Sequence, residues 1–293
     1  MVLSSYLQYL ISGLTIGSTY GLTGLGFTII FNTTGIINFA QGEFVMLGGM
    51  FSVFFLTACN LPLPLAMAAA VLATVMVGGL IERFTIRPVR NASVIQLIII
   101  TIGLSIVIRG MAMLVWGKDT FALPPFSGDA PLSLFGATLL PQSLWILGIT
   151  LALLLLLRVF FTRTVYGKAM QACAVDRKAA LLVGVNVQRM VLFSFMISAF
   201  VGAMGGAILT PLTMTSYDKG ILLGLKGFAA CILGGLGNPF GAAAGGLMLG
   251  VLESYGAGLI SSAYKDAFAF VILLLLLFVK PSGLFGRAAI KRV

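Results

Sequence analysis

The 293-residue chain is short of charge. Asp, Glu, Lys and Arg make up 9% of it, against 59% hydrophobic residues. A soluble domain carries roughly 25% charged residues, and too few are present here to cover a water-exposed shell. The solvent is therefore lipid. Histidine is absent altogether, which removes the commonest metal ligand and general base. The three cysteines, Cys59, Cys173 and Cys231, have no CxxC spacing and read as buried structural thiols. No GxxxxGK[ST] loop occurs, since the Gly-Lys pairs at 117–118 and 167–168 lack its other elements. No Gly-x-Ser-x-Gly elbow or metal cluster is present either. The sequence thus offers no phosphate-binding loop, no metal centre and no hydrolase nucleophile. No Lys or Arg precedes the first apolar run, which is too long for a signal-peptide core and reads as a retained helix.

What the chain does have is long apolar runs, as at 151–157 and 271–279, and a mean hydropathy of +1.11. A membrane β-barrel would instead alternate in strands of about ten residues. A bilayer core of about 30 Å takes about 20 residues of helix. Helices are expected at about 6–31, 39–58, 63–83, 93–115, 143–161, 189–212, 222–236, 240–260 and 265–280. The expected fold is an all-α polytopic membrane protein. It forms one transmembrane domain over 1–293, a bundle of eight or nine transmembrane helices with interrupted helices and one helix in a water-facing loop.

The net charge of +10 is placed rather than spread. Thirteen of the 18 Lys and Arg fall in three patches: Arg83, Arg87 and Arg90; Arg158, Arg163, Lys168, Arg177, Lys178 and Arg189; and Lys280, Arg287, Lys291 and Arg292. The other long loop, about 117–142, holds Lys118 against Asp119 and Asp129. This asymmetry obeys the positive-inside rule. It puts the patches in the cytoplasm, the N-terminus outside and the C-terminus inside, and it argues against a nucleic-acid partner. The segment 222–236 is short, which leaves a re-entrant half-helix open, but only a full crossing keeps the basic C-terminus inside.

Glycines recur four apart at Gly13, Gly17 and Gly21, at Gly202 and Gly206, at Gly241 and Gly245, and at Gly246 and Gly250. Small residues at that spacing let helix backbones approach in lipid. Two stretches break the apolar pattern. In 32–43, Asn38 reads as a helix cap with Gln41 reaching back to it. In 234–241, Asn238 reads as the cap and Pro239 as the first helical residue. Gly24, Leu25, Gly35 and Asn38 recur as Gly224, Leu225, Gly235 and Asn238. Paired interrupted helices point to a transport site, although this pairing gives both copies the same orientation. Charges inside the membrane default to function. Glu82 and Arg109 lie within reach of helix ends and can snorkel. For Glu43 and Glu253, function and structural pairing both stay open, with Lys226 a candidate partner for Glu253.

The loop 162–189 reads as a helix over about 168–183, closed by Gly184 and followed by Asn186 as the next cap. Its Ala169, Ala172, Cys173, Ala179 and Ala180 are small, and Lys168, Asp176, Arg177 and Lys178 are charged. That composition suits docking on a cytoplasmic partner or a solvated interfacial helix. The run from Tyr166 to Asn186 resembles the coupling segment of branched-chain amino acid ABC transporter permeases. Gly167, Ala172, Asp176, Ala180 and Gly184 fit the family's Gly, Ala, Asp, Ala, Gly spacing. The stretches 35–43, 233–241 and 280–286 are similar to its other signatures. Position 41, where many relatives carry His, holds Gln41, which cannot titrate.

The resemblance implies a permease subunit of the bacterial inner membrane, itself not an enzyme, with no cofactor in this chain. It implies a sister permease, two cytoplasmic ATPase subunits binding ATP and Mg, and an extracytoplasmic solute-binding protein. The solute would be a branched-chain or related amino acid, with urea, amides or small aromatic acids as the family's other cargoes. Gly167, Ala172, Asp176, Arg177, Lys178, Ala180 and Gly184 would couple to the ATPases. Asn38, Gln41, Glu43, Asn238 and Glu253 are the candidates for the translocation path. A self-sufficient channel or carrier is the competing reading, and an intramembrane enzyme has no catalytic group to support it.

Overall fold

The computed structural model describes residues 2–89, 92–134, 136–280 and 282–286. Arg90, Pro281, Arg287, Lys291 and Arg292 of the motifs above lie outside the described residues. The helices are α1 (Val2–Thr34), α2 (Gln41–Thr57), α3 (Leu63–Ile81), α4 (Val94–Trp116), α5 (Pro141–Arg163), α6 (Val165–Val175), α7 (Arg177–Leu182), α8 (Val187–Thr213), α9 (Lys219–Gly234), α10 (Pro239–Leu259) and α11 (Lys265–Val279). One small antiparallel hairpin, β1 (Leu132–Leu134) with β2 (Ala137–Leu139), sits in the loop before α5. Six helical spans among the described residues are long and apolar enough to cross a membrane by themselves. The chain is an all-α, multi-pass membrane protein, and each of the nine expected apolar segments contains a helix.

Helix ends follow local chemistry. Ser93 and Gln96 form a reciprocal capping box at the start of α4. Asn186 caps α8 by accepting from Arg189 N, and Asn238 caps α10 by accepting from Gly241 N with Pro239 as first residue. Gly184 adopts φ +85°, the left-handed conformation expected of the residue that closes a helix.

Arg87, Arg158 and Arg177, from the patches read in the sequence, lie at one end of the bundle. Arg87 Nη2 donates to Gln188 Oε1 at 2.9 Å, joining the end of α3 to the start of α8. Arg158 of α5 lies over the Phe240 ring at the start of α10, and Arg177 reaches the last turn of α1. Leu284 N donates to Leu233 O, returning the chain after α11 to this same end. This end is the cytoplasmic one by the positive-inside rule.

The core of the bundle is built on glycine. Gly13, Gly17 and Gly21 of α1 face Gly250, Gly246 and Ala243 of α10, running in opposite directions. A methyl group on Gly246 would collide with the backbone of Gly21. On α8, Gly202 and Gly206 face Phe44 and Val45 of α2, running in the same direction. Helices in lipid gain nothing from hiding apolar surface from each other, so such close backbone contact carries the packing. Around this centre α4, α5 and α11 present their leucine and isoleucine faces outward, to the acyl chains.

Candidate functional site

Two helices begin in the middle of the bundle. Gln41, the first residue of α2, lies beside Ser198 of α8, with Gln41 Nε2 donating to Ser198 O at 3.3 Å. Ser198 is eleven residues into α8, or about 16 Å from its cytoplasmic end at 1.5 Å per residue. The stretch 35–40 therefore turns back from the end of α1 into the membrane. From the other side, 214–218 follows α8 back inward: Thr215 lies against Gly49, halfway along α2, and Gly220 lies against Gly42 and Glu43. The N-termini of α2 and α9 thus meet at depth, pointing toward each other. From there α2 runs outward and α9 runs inward, parallel to α1. Irregular backbone at that depth is tolerated only inside protein or beside a cavity.

This geometry corrects the repeat read from the sequence. The stretch 234–241 is a tight link at the cytoplasmic end, where α9 and α10 meet with a bend of 116°. The partner of the 35–40 break is 214–218, which reads in the sequence as an ordinary outer loop. The repeat so formed, α1 with α2 against α8 with α9, is inverted, as transport folds commonly are. The short α9 and its lead-in cross the bundle together, which keeps the parity that the charges demand.

The break is built from polar groups that the bilayer cannot solvate. Ser198 Oγ donates to Gly26 O at 2.9 Å and also faces Gln41 Oε1. Asn38 does not cap α2; its Oδ1 accepts from Ala40 N at 3.2 Å and forms a turn ahead of the helix. Nor does Gln41 reach back to Asn38, because Ser198 holds it. Phe39 N donates to Thr101 Oγ1 of α4 at 3.2 Å. Glu43 Oε1 accepts from Ser105 Oγ at 2.8 Å and pairs with Arg109 Nε at 3.3 Å. Arg109 is thus an ion-pair partner rather than a snorkelling side chain. Its link to Glu43, 66 residues away, has no sequence signal. Glu43 Oε2 and Asn38 Nδ2 are buried without a hydrogen-bond partner.

A second cluster ties α1, α9, α10 and α11 together. Lys226 Nζ meets both oxygens of Glu253 at 2.8 and 2.9 Å and Asp266 Oδ1 at 2.6 Å. Lys265 pairs with Glu253 at 3.2 Å, and Tyr20 OH donates to Glu253 Oε1 at 3.2 Å. The Lys226–Glu253 partnership raised by the sequence is present, whereas Tyr20, Lys265 and Asp266 carry no signal there. Asn238 stands apart from the break, at the cytoplasmic end beside Phe285. Of the five path candidates, Asn38, Gln41 and Glu43 come together; Asn238 and Glu253 are elsewhere.

The cytoplasmic segment differs from the single expected helix. Asp176 adopts an extended conformation (φ −155°, ψ 112°) and its Oδ1 accepts from Lys178 N and Ala179 N, so it ends α6 and caps α7. Gly167, Met170, Cys173 and Ala180 are buried against the bundle, and Ala169 and Ala172 pack there too. A methyl group on Gly167 would collide with the backbone of Phe160. The small residues seat the segment on its own membrane domain. Val175, Leu182 and Val183 face away, 85%, 89% and 78% exposed at the polar end of the molecule. Arg177 turns inward and donates to Thr33 O, a carbonyl in the last turn of α1. Lys178 and Gly184 are exposed.

Comparison with known proteins places the whole chain. The family described as the branched-chain amino acid transport system / permease component matches residues 9–277. The chain is 34% identical to the high-affinity branched-chain amino acid transport system permease protein BraD of Pseudomonas aeruginosa, over 98% of each chain. It is 34% identical to the permease protein LivH of Escherichia coli K12, again over 98% of each. The probable branched-chain amino acid permease LivH of Methanocaldococcus jannaschii is 27% identical over 90% of this chain and 88% of its own. With buried polar breaks, inverted half-helices and full-length similarity in agreement, this chain belongs to the branched-chain amino acid transport permease family.

Proposed function

We propose that the chain is one of two permease subunits of an ATP-driven importer for branched-chain or related amino acids, and that α6 and α7 take up the motion of separate ATPase subunits. The observation that carries this reading is the Arg177 contact with Thr33. A carbonyl in the last turn of a helix has no partner within the helix, and a guanidinium there also meets the negative end of the helix dipole. Pressure on α6–α7 is therefore delivered to the end of α1. Six residues later the chain enters α2 at the mid-membrane break. The lever and the break are joined by covalent backbone and one charge-assisted hydrogen bond.

Exposed Val175, Leu182 and Val183 supply an apolar footing for a partner, with Asp176 and Lys178 beside them. A motor shifts the equilibrium between access states only by gripping them differently, and a segment seated on small residues through one face and bare on the other suits that grip. The sister permease, the ATPases with their ATP and Mg, and an extracytoplasmic binding protein belong to this same reading, with the bacterial inner membrane as the site of action.

Reconstitution tests it. The chain with its sister permease and ATPases in liposomes should accumulate L-leucine only with ATP and the binding protein present. Flux through the chain alone, independent of ATP, would replace the importer with a self-sufficient channel or carrier. Arg177→Met should leave the complex assembled and still hydrolysing ATP while uptake falls about tenfold or more, the equivalent of one lost charge-assisted hydrogen bond of roughly 1.5–3 kcal/mol. Unchanged uptake by that variant would remove Arg177 from the coupling route.

A further inference from the structure

On the outward side of the break, between α1, α2, α8 and α9, lies a cavity of about 150 Å³. Three lysines line it, Lys219, Lys226 and Lys265, with Tyr20 and Thr215 beside them. Two of the three are neutralised: Lys226 faces Glu253 and Asp266, and Lys265 faces Glu253. Lys219 is not. No described carboxylate lies within ion-pair distance of it and no described group hydrogen-bonds its amine. Asp218, its neighbour in the chain, is engaged by Ser216 Oγ.

The wall therefore carries one lysine without an ion-pair partner at membrane depth, where charge is costly and held for a purpose. Lys219 is also the first residue of α9, whose N-terminus has no side-chain cap. The positive end of that helix, which Glu43 also approaches at Gly220, faces the same side. The rest of the wall is largely aliphatic, including Val45, Met46, Leu209 and Leu222. Lys219 can pair with an added anion, and a short hydrocarbon body is what the apolar side accepts.

We propose that this cavity is a station on the solute path that holds the carboxylate of a small aliphatic acid or amino acid at Lys219. The proposal rests on the permease reading above and gives it a residue. Lys219 is the binding group; Lys226 and Lys265, held by their own carboxylates, shape the field around it.

The test uses the full chain in its assembled complex. Cys59, the exposed native cysteine, is replaced by Ser, and Thr213, a wall residue, is replaced by Cys as a reporter. The rate of labelling by a small thiol reagent is measured with L-leucine, isovalerate, leucinamide or inorganic phosphate added. Leucine and isovalerate should slow labelling, while leucinamide, which lacks the carboxylate, and phosphate, which lacks the hydrocarbon body, should not. Lys219→Gln should weaken the protection about tenfold or more, as expected for loss of a charged hydrogen bond, and Lys219→Arg should restore most of it.

Equal protection by leucinamide or phosphate would overturn the site, as would protection that survives Lys219→Gln. Absence of protection in a preparation that still accumulates leucine with ATP would overturn the site and leave the importer standing. Protection in a preparation that moves leucine without ATP would support the site and overturn the importer.

Discussion

The Lys226–Glu253 pair makes a sharp prediction, because removing one charge and removing both lead to different results. Both side chains are nearly inaccessible, at 2% and 3%, and their atoms meet at 2.8 Å. Breaking a buried pair from one side costs about 3–5 kcal/mol, since it strands a charge, whereas replacing both partners by neutral groups is often close to neutral. The surroundings make the two sides unequal. In Glu253→Gln, Lys226 keeps Asp266 at 2.6 Å and the Tyr20 hydroxyl at 3.0 Å, so the loss should fall near the lower bound, about 3 kcal/mol. In Lys226→Met, Glu253 keeps only Lys265, whose side chain is 41% exposed, and the Tyr20 hydroxyl. Asp266 loses its partner as well, so the loss should lie toward 5 kcal/mol. The double variant leaves Lys265 and Asp266, both at the surface, to water and each other. It should return to within about 1–2 kcal/mol of the parent. Reversible unfolding in mixed micelles, read as a double-mutant cycle, measures the coupling. Additive single effects would refute the argument that Lys226 and Glu253 are held as one neutral unit.

Four further outcomes follow from packing and capping. Gly206→Ala would drive a methyl group into the carbonyl of Val45 and should destabilise the fold by about 1–3 kcal/mol, read by thermal unfolding in detergent. Gly103→Ala and Gly110→Ala, where a methyl meets nothing within 4 Å, should be neutral or stabilise α4 by up to about 1 kcal/mol in the same assay; a loss there would contradict the outward placement of that face. Asp176→Ala should cost about 1 kcal/mol through the lost cap of α7, whereas Asp176→Asn keeps the cap and should lose less. If Asp176→Asn nonetheless lowers uptake at constant ATP hydrolysis, the charge itself is used in coupling. Ser198→Ala should loosen Gln41 at the break and cost about 1–3 kcal/mol from the groups left unpaired, visible as faster hydrogen exchange at the start of α2.

The parts legible in the sequence are those set by local or periodic rules. The nine apolar segments are legible because helix in hydrocarbon demands long apolar runs. The caps at Asn186 and Asn238 were readable because a cap acts over three residues, and the facing glycines because a period of four defines a helix face. Depth was not legible. Met214 to Asp218 has the composition of an outer loop, and only the packing of Thr215 and Gly220 against α2 shows that it dips inward. Hydropathy records how apolar a segment is, not where along the normal it begins, so α9 looked like a short span beside a break at 234–241. The orientation of α6 escaped for a related reason. Small residues on a stranded helix suit a foreign groove or the helix's own bundle equally well, and their burial against α5 and α8 decides for the bundle. The segment is seated on its own membrane domain by Gly167, Cys173 and Ala180 and is fastened to α1 by Arg177. In the coupling proposed above, force on bare Leu182 and Val183 would reach the start of α2, a half-helix held at mid-membrane by Ser198, Thr101, Ser105 and Arg109 rather than by a continuous helix.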